Sequence, residues 1–356
     1  MTRVQLFAFI LQTQIGIAVL SVPYDLHKDA GADGWISVLV AGAIVQAILF
    51  AYVLLCKRFP KQNLFDFTPI IIGQWLGKVV NAAYTAHFLL TTSLIILLEM
   101  TFVEMWILPF TNPWLVLVAN CIVCTYLAKE PIRVIARYNV LITFLIIVML
   151  GIMMTSFRSM DYRYLLPIGQ SGWSGVIAGA KSSFLSFLGF EVLLVLSGDV
   201  RSEGKSFMPP LLWANGLATF FFLLIVLVSY LNFSQEALDF IPQPVPYYLN
   251  GISLPFLERL DLLFLSIWLV KVTATQISYF YCAGKGLSQL FHLRDHAKAV
   301  YFIVPLVCAL GFFWRSEARV KHLGKIVEYE SYVILGLPIV LLLLAWLLGK
   351  RGQVTV

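Results

Sequence analysis

Residues 15–23 read IGIAVLSVP, inside an apolar stretch that begins near residue 4, and they set Gly16 and Pro23 seven positions apart. A helix meant to cross a bilayer is weakened by both: proline has no backbone N–H to donate, and glycine costs roughly 1 kcal/mol against alanine in a helix interior. In hydrocarbon an unpaired backbone group costs several kcal/mol, so non-helical backbone survives only where it lines a cavity or packs in protein. The stretch predicts a discontinuous first helix beside a site. Because glycine and serine also allow membrane helices to pack closely, a second interruption is needed to decide.

The chain around it is built for a membrane. Its 356 residues are 60% hydrophobic and 12% charged, with mean hydropathy +0.86, a balance no water-soluble core requires. About 20 apolar residues cross the hydrocarbon layer. Ten stretches of that kind are expected, at 4–22, 35–56, 79–108, 113–128, 138–157, 174–198, 211–232, 256–283, 299–314 and 332–348. The expected fold is thus an all-α membrane protein of ten transmembrane helices, with residues 1–356 forming one transporter-like domain. The N-terminus lacks the small-residue cleavage site of a secretory signal and is read as the first span. Five cysteines lie in or at the ends of apolar segments, which argues against a disulfide framework, and Cys121 and Cys124 have no companions that would make a metal motif.

The net charge of +6 is spread among loops, so no nucleic-acid partner is expected and the basic residues serve topology instead. With the N-terminus inside, 15 Lys and Arg fall on the cytoplasmic side and 7 opposite, which places both termini in the cytoplasm. Arg201 and Lys205 count towards the inside. Arg315, Arg319, Lys321 and Lys325, read as an outer loop, are the main exception.

The second interruption lies five spans later. Residues 182–198 read SSFLSFLGFEVLLVLSG, with Ser186 and Gly189 mid-span and Glu191 just beyond. Five is odd, so two halves, 1–157 and 174–348, run in opposite directions: a 5+5 inverted repeat with discontinuous helices 1 and 6. Freed amides at one half-helix end suit an anion, and freed carbonyls at the other suit an ammonium. An amino acid zwitterion offers both charges.

These two stretches carry a resemblance. IGIAVLSVP is similar to the first-helix signature I-G-x-G-x-x-x-x-P of the amino acid/polyamine/organocation transporter superfamily, and FLSFLGFE, residues 184–191, to its sixth-helix pattern F-x-x-F-x-G-F-E. Within that superfamily the length, the ten spans and the run QTQIGIAVLSVP resemble the membrane-embedded B subunits of endospore germinant receptors, the germination permeases. The resemblance implies that backbone groups of Ile15, Gly16, Ile17 and Ala18 meet a ligand carboxylate. Those from Phe184 through Ser186 and Phe187 to Gly189 would meet its amino group, with Phe187 or Phe190 shielding the side chain. It also implies an A-type membrane subunit and a C-type lipoprotein as partners, in the spore inner membrane. Ala18 stands where the superfamily has its second glycine, adding a methyl group close to the ligand position.

Charged groups at mid-depth each ask for a partner or a role, since insertion costs about 2.5 to 3.5 kcal/mol apiece. Lys271, in SIWLVKVTATQISYF, is too deep to snorkel comfortably. Three readings stay open: it replaces a bound cation beside helix 1, as the inverted-repeat fold implies, it pairs with Glu191 or Glu99, or it carries a coupling proton. Thr273 and Thr275 point about 200° apart, so one of them can line a cavity, and Thr275 is the candidate. Glu99 lies near mid-depth, with Glu104 nearer the surface. Lys181 suits either a water-filled vestibule or snorkelling, and His87 reads as a hydrogen-bonded core histidine. IPQPVPYYLNGISLP, residues 241–255, reads as an external loop: a stiff connector, a gate, or a docking surface for an extracellular partner.

No nucleophile elbow, zinc-protease motif or carboxylate pair is present, so neither an enzyme nor a cofactor or metal site is expected. The expected function is a germinant-sensing membrane subunit that triggers spore germination by binding a small germinant, an amino acid by this reading. The alternative is a proton-coupled amino acid transporter.

Overall fold

The computed structural model describes residues 1–200, 206–253, 258–314 and 316–352. Arg201, Lys205 and Arg315 of the charge count, and residues 254 and 255 of the proline-rich loop, lie outside the described residues. Among the described residues the chain is helical and holds no strand.

The first expected span is two helices. α1 (Arg3–Gln14) opens with a capping box in which Thr2 and Gln5 satisfy each other's backbone N–H, and it ends where Ile15 and Gly16 leave helical geometry. A short 3₁₀ turn, Ile17–Leu20, leads into α2 (Val22–Ala30). Pro23 therefore does not end a span: it sits in the first turn of α2, where a missing N–H has no helical partner to lose. After α2 come α3 (Gly34–Arg58), α4 (Leu64–Ile72) and α5 (Gln74–Trp106). α6 (Pro113–Ala128) starts under an Asn112 cap, and α7 (Ile132–Ile142) and α8 (Phe144–Met154) meet at Thr143.

The second break follows. α9 (Gly172–Ser186) stops short of Gly189, and the chain resumes as a 3₁₀ turn, Phe190–Val192, and α10 (Leu193–Leu196). The two pieces are bent by 52°. α11 (Met208–Asn232), the single-turn α12 (Gln235–Leu238) and α13 (Pro244–Asn250) precede α14 (Leu260–Leu290), α15 (His296–Trp314) and α16 (Glu317–Leu347). Among the described residues seven helices are long and apolar enough to cross a membrane, or eight with the bent pair counted as one span. The protein is a multi-pass membrane protein.

Several expected boundaries move outward, because hydropathy marks only the apolar slab while helices run on beyond it. α5 starts at Gln74, α7 at Ile132 and α14 ends at Leu290. The largest change is in the last hairpin. Residues 317–331, read as a polar outer loop, are the first half of α16, where Lys321 pairs with Glu317 at 2.7 Å, an exposed i,i+4 contact of little energetic weight. The proline-rich loop likewise contains α13, whose Val245 and Leu249 are buried.

α5 and α14 form the centre and pack along each other, with α14 also touching α1, α6 and α15. α9 lies against α2 and α3, and α16 against α5 and α3. Asp33, buried at the junction of α2 and α3, fastens the start of α9. Its carboxylate accepts from Gly169 N–H at 2.7 Å and from Ser171 N–H and Oγ–H at 2.9 and 2.8 Å. Hydrogen bonds to a charged group contribute about 1.5–3 kcal/mol each, so Asp33→Ala is expected to lower Tm by several degrees in detergent. An unchanged melting curve would show the bonds to be idle.

Candidate functional site

The two breaks meet. Gly189 adopts a left-handed backbone, φ +119°, and its Cα comes so close to α1 that a Cβ built there would stand 2.5 Å from both the carbonyl carbon and oxygen of Thr13. Only glycine allows that approach with that dihedral. At Gly16 the neighbour is α14: a Cβ would lie 3.2 Å from Thr275 Oγ1. Thr275 in turn donates its hydroxyl to the Gln12 carbonyl at 3.1 Å, which satisfies one of the carbonyls that the early end of α1 leaves free. Gln14 reaches α11, donating to Asn215 Oδ1 at 3.1 Å.

A cavity of about 140 Å³ opens where these elements converge. Gly16, Ile17 and Ala18 line it from the first break, Ser186 from the second, and Thr275 and Tyr279 from α14. Thr91, Leu94 and Ile95 of α5 and Val327 and Glu328 of α16 close the remaining sides. Its wall is largely aliphatic, with polar groups confined to the breaks, Thr13 and Gln14 at the end of α1, Thr91, Thr275, Tyr279 and the Glu328 carboxylate. A larger hollow of about 460 Å³ lies between α6 and α15 and contains no residue of either break. Adjacency to freed backbone makes the smaller cavity the candidate site.

The structure thus brings Gly16, Ile17, Ala18, Ser186 and Thr275 together around one space. Ile15, Phe184, Phe187 and Gly189 are not in its wall. Ile15 is buried at the end of α1, and Gly189 lies against Thr13. Phe184 stacks on Tyr332 at 6.2 Å, and Phe187 packs on Phe222 at 5.0 Å. Phe187 follows the cavity-lining Ser186 by one residue, and a helical turn carries it about 100° away from that face. Phe190 packs against Tyr52, and neither phenylalanine shields the cavity.

Lys271 is fully buried and donates to Gln12 Oε1, while Gln12 Nε2 donates onward to Thr143 Oγ1 at 3.0 Å at the α7–α8 junction. Among the described residues it pairs with no carboxylate, so of the three readings the pairing with Glu191 or Glu99 does not hold. Both glutamates are engaged elsewhere. Glu99 accepts from Asn120 Nδ2 at 2.8 Å on each oxygen and from Gln276, which points about 140° around α14 from Lys271. Glu191 accepts from Tyr279 Oη–H at 2.6 Å and from Gly189 N–H at 2.8 Å. Thr273 bonds back to Leu269 O in its own helix, leaving Thr275 to the site. Lys181 is exposed, its ammonium 5.5 Å from the centre of the Tyr332 ring.

Residues 1–319 match the family described as spore germination protein. The chain belongs to that family. Among similar spore germination proteins, YndE of Bacillus subtilis (strain 168) is 25% identical, the alignment covering 99% of this chain and 98% of YndE. GerQB of Bacillus cereus is 22% identical with 92% of each chain covered, and B2 of Bacillus subtilis (strain 168) 21% identical over 99% and 97%. Among solved structures, MhsT in complex with L-phenylalanine superposes with TM-score 0.68 at 15% identity, covering 97% of this chain and 89% of that one. The two share a fold.

For this spore germination protein, reading the sequence missed Tyr279, Thr91, Glu328 and the partners of His87. Tyr279 was within reach of pattern, lying one turn beyond Thr275 on the same face of α14. Glu328 lay in residues read as a loop. His87 is a core histidine as expected, but it lies between two carboxylates, Glu191 and Glu330, the second of them 243 positions away.

Proposed function

We propose that this spore germination protein is the membrane subunit of a germinant receptor, and that it senses a small amino acid in the cavity between the two breaks. The observation that carries the reading is the contact between the breaks themselves: interrupted backbone from α1 and from α9–α10 flanks one space of amino-acid size. Amides near Ile15 to Ala18 would take the carboxylate. Carbonyls around Phe184 to Gly189 would take the ammonium, and the aliphatic wall would take the side chain. In this reading the Lys271 ammonium stands in for a cation at the end of α1, where free carbonyls gather partial negative charge.

Joining α1 to α2, α7 to α8 and α9 to α10 yields ten spans with α3, α5, α6, α11, α14, α15 and α16. That is consistent with a single domain of two inverted five-span halves, 1–157 and 174–348, with both termini cytoplasmic in the spore inner membrane. An A-type membrane subunit and a C-type lipoprotein would receive the change of conformation. Binding of labelled amino acids and sugars to the full-length protein in nanodiscs tests the reading. Gly16→Leu, which fills the cavity from the first break, is expected to abolish binding at normal expression, and undiminished binding in that variant would move the site elsewhere.

The second reading, a proton-coupled amino acid transporter, is favoured by the buried titratable groups beside the cavity. Accumulation of an amino acid against its gradient in proteoliposomes would establish it and displace a pure sensor.

A further inference from the structure

His87 of α5 has a carboxylate at each ring nitrogen. Nδ1 lies 2.7 Å from Glu330 Oε1 of α16, and Nε2 lies 3.5 Å from Glu191 Oε1, just past the second break. His87 and Glu191 are shut off from solvent, while the Glu330 side chain keeps 24% of its exposure. Tyr279 and Cys282 of α14, Tyr84 of α5 and Tyr52 of α3 are the other titratable groups facing this cluster. The Tyr84 and Tyr52 hydroxyls are committed to the carbonyls of Ile334 and Leu335, each at 2.8 Å. Glu328 points about 200° around α16 from Glu330 and faces the cavity instead.

The cluster spans the helices that wall the cavity. Thr91 lies one turn beyond His87 on α5, Val327 lies one turn before Glu330 on α16, and Tyr279 both lines the cavity and donates to Glu191. We propose that His87, Glu191 and Glu330 form a proton-binding site that clasps α16 to α5 and couples proton binding to closure of the cavity.

With the proton bound, both ring nitrogens carry hydrogen: Nδ1–H donates to Glu330 and Nε2–H faces Glu191. The proton leaves by passing from Nδ1 to the Glu330 carboxylate and from there to solvent, for which Glu330 is the exposed member. The neutral ring has one hydrogen for two carboxylates: kept on Nε2 it leaves a bare Nδ1 lone pair confronting Glu330, and kept on Nδ1 it leaves a bare Nε2 confronting Glu191. Either way two acceptors face each other without a hydrogen between them, and the clasp that the doubly protonated ring makes across α5, α16 and the second break is loosened. The coupling half of this proposal rests on the cavity being the germinant site, whereas the proton site does not.

Full-length protein with ring-¹⁵N histidine in nanodiscs tests the proton site directly. The resonances lost in His87→Gln are expected to move between imidazolium and neutral positions within about pH 5–9, and Glu330→Gln to displace that transition by about one pH unit or more. A His87 ring fixed in one state across the range, or a transition indifferent to Glu330→Gln, overturns the site. Coupling is read with L-valine as the probe: wild-type affinity is expected to change about threefold or more between pH 5.5 and 8.5, and to be flat in both His87→Gln and Glu330→Gln. A slope that survives in either variant overturns the coupling. If L-valine and the other amino acids fail to bind at any pH, the germinant cavity and the coupling fall together, and the histidine resonances still decide the proton site.

Discussion

Gly189→Ala is expected to eliminate the folded protein. The residue sits at φ +119°, where a side chain alone costs about 1–3 kcal/mol, and the added methyl would stand 2.5 Å from the Thr13 carbonyl carbon and oxygen. That obstacle is backbone, so no rotamer change relieves it. To make room, α1 must withdraw from the second break, which undoes the hold of Thr275 on Gln12. A total loss of about 4 kcal/mol or more follows, at the extreme of single substitutions. Size-exclusion chromatography and thermal melting in detergent measure it. A monodisperse Gly189→Ala protein with a Tm within a few degrees of wild type would mean that the two breaks do not touch as described.

Lys271→Met should separate function from stability. The side chain is fully buried, it donates to Gln12 Oε1, and no carboxylate offsets its charge among the described residues. Methionine fills a similar volume without the cost of a buried ammonium, so Tm is expected to hold or rise, less about 1–3 kcal/mol for the acceptor left unpaired on Gln12. What the variant loses is positive charge at the early end of α1. Ligand affinity is therefore expected to fall about tenfold or more, as measured by binding in nanodiscs. Wild-type affinity in Lys271→Met would reduce the lysine to a structural link between α14 and α1.

The breaks were legible because their causes are local. Gly16 and Gly189 announce interruptions within a few residues of themselves. What faces the cavity was half legible. Gly16, Ile17 and Ala18 follow the broken backbone, but Phe187, carried about 100° from Ser186, packs on Phe222 instead, and nothing in its own segment shows that α11 stands there. The cluster at His87 was out of reach for a different reason. Glu330 sits in a charged run that hydropathy assigns to water, and only packing of α16 on α5 shows that one side of that run is buried. Lys271 stood out as a mid-depth charge from the start, yet its partner proved to be an amide rather than a carboxylate, because Asn120, Gln276 and Tyr279 had already claimed both candidate glutamates.

Asp33 limits how the cavity can open. Its carboxylate binds the chain just before α9 while Asp33 itself sits in the short turn between α2 and α3, and α2 packs along α9. The two half-helices that leave the breaks in this direction are laced at their far ends as well as along their lengths. Opening on this side is then a tilt of α2 and α9 as one lever, with the touching glycine and carbonyl at Gly189 and Thr13 as its fulcrum.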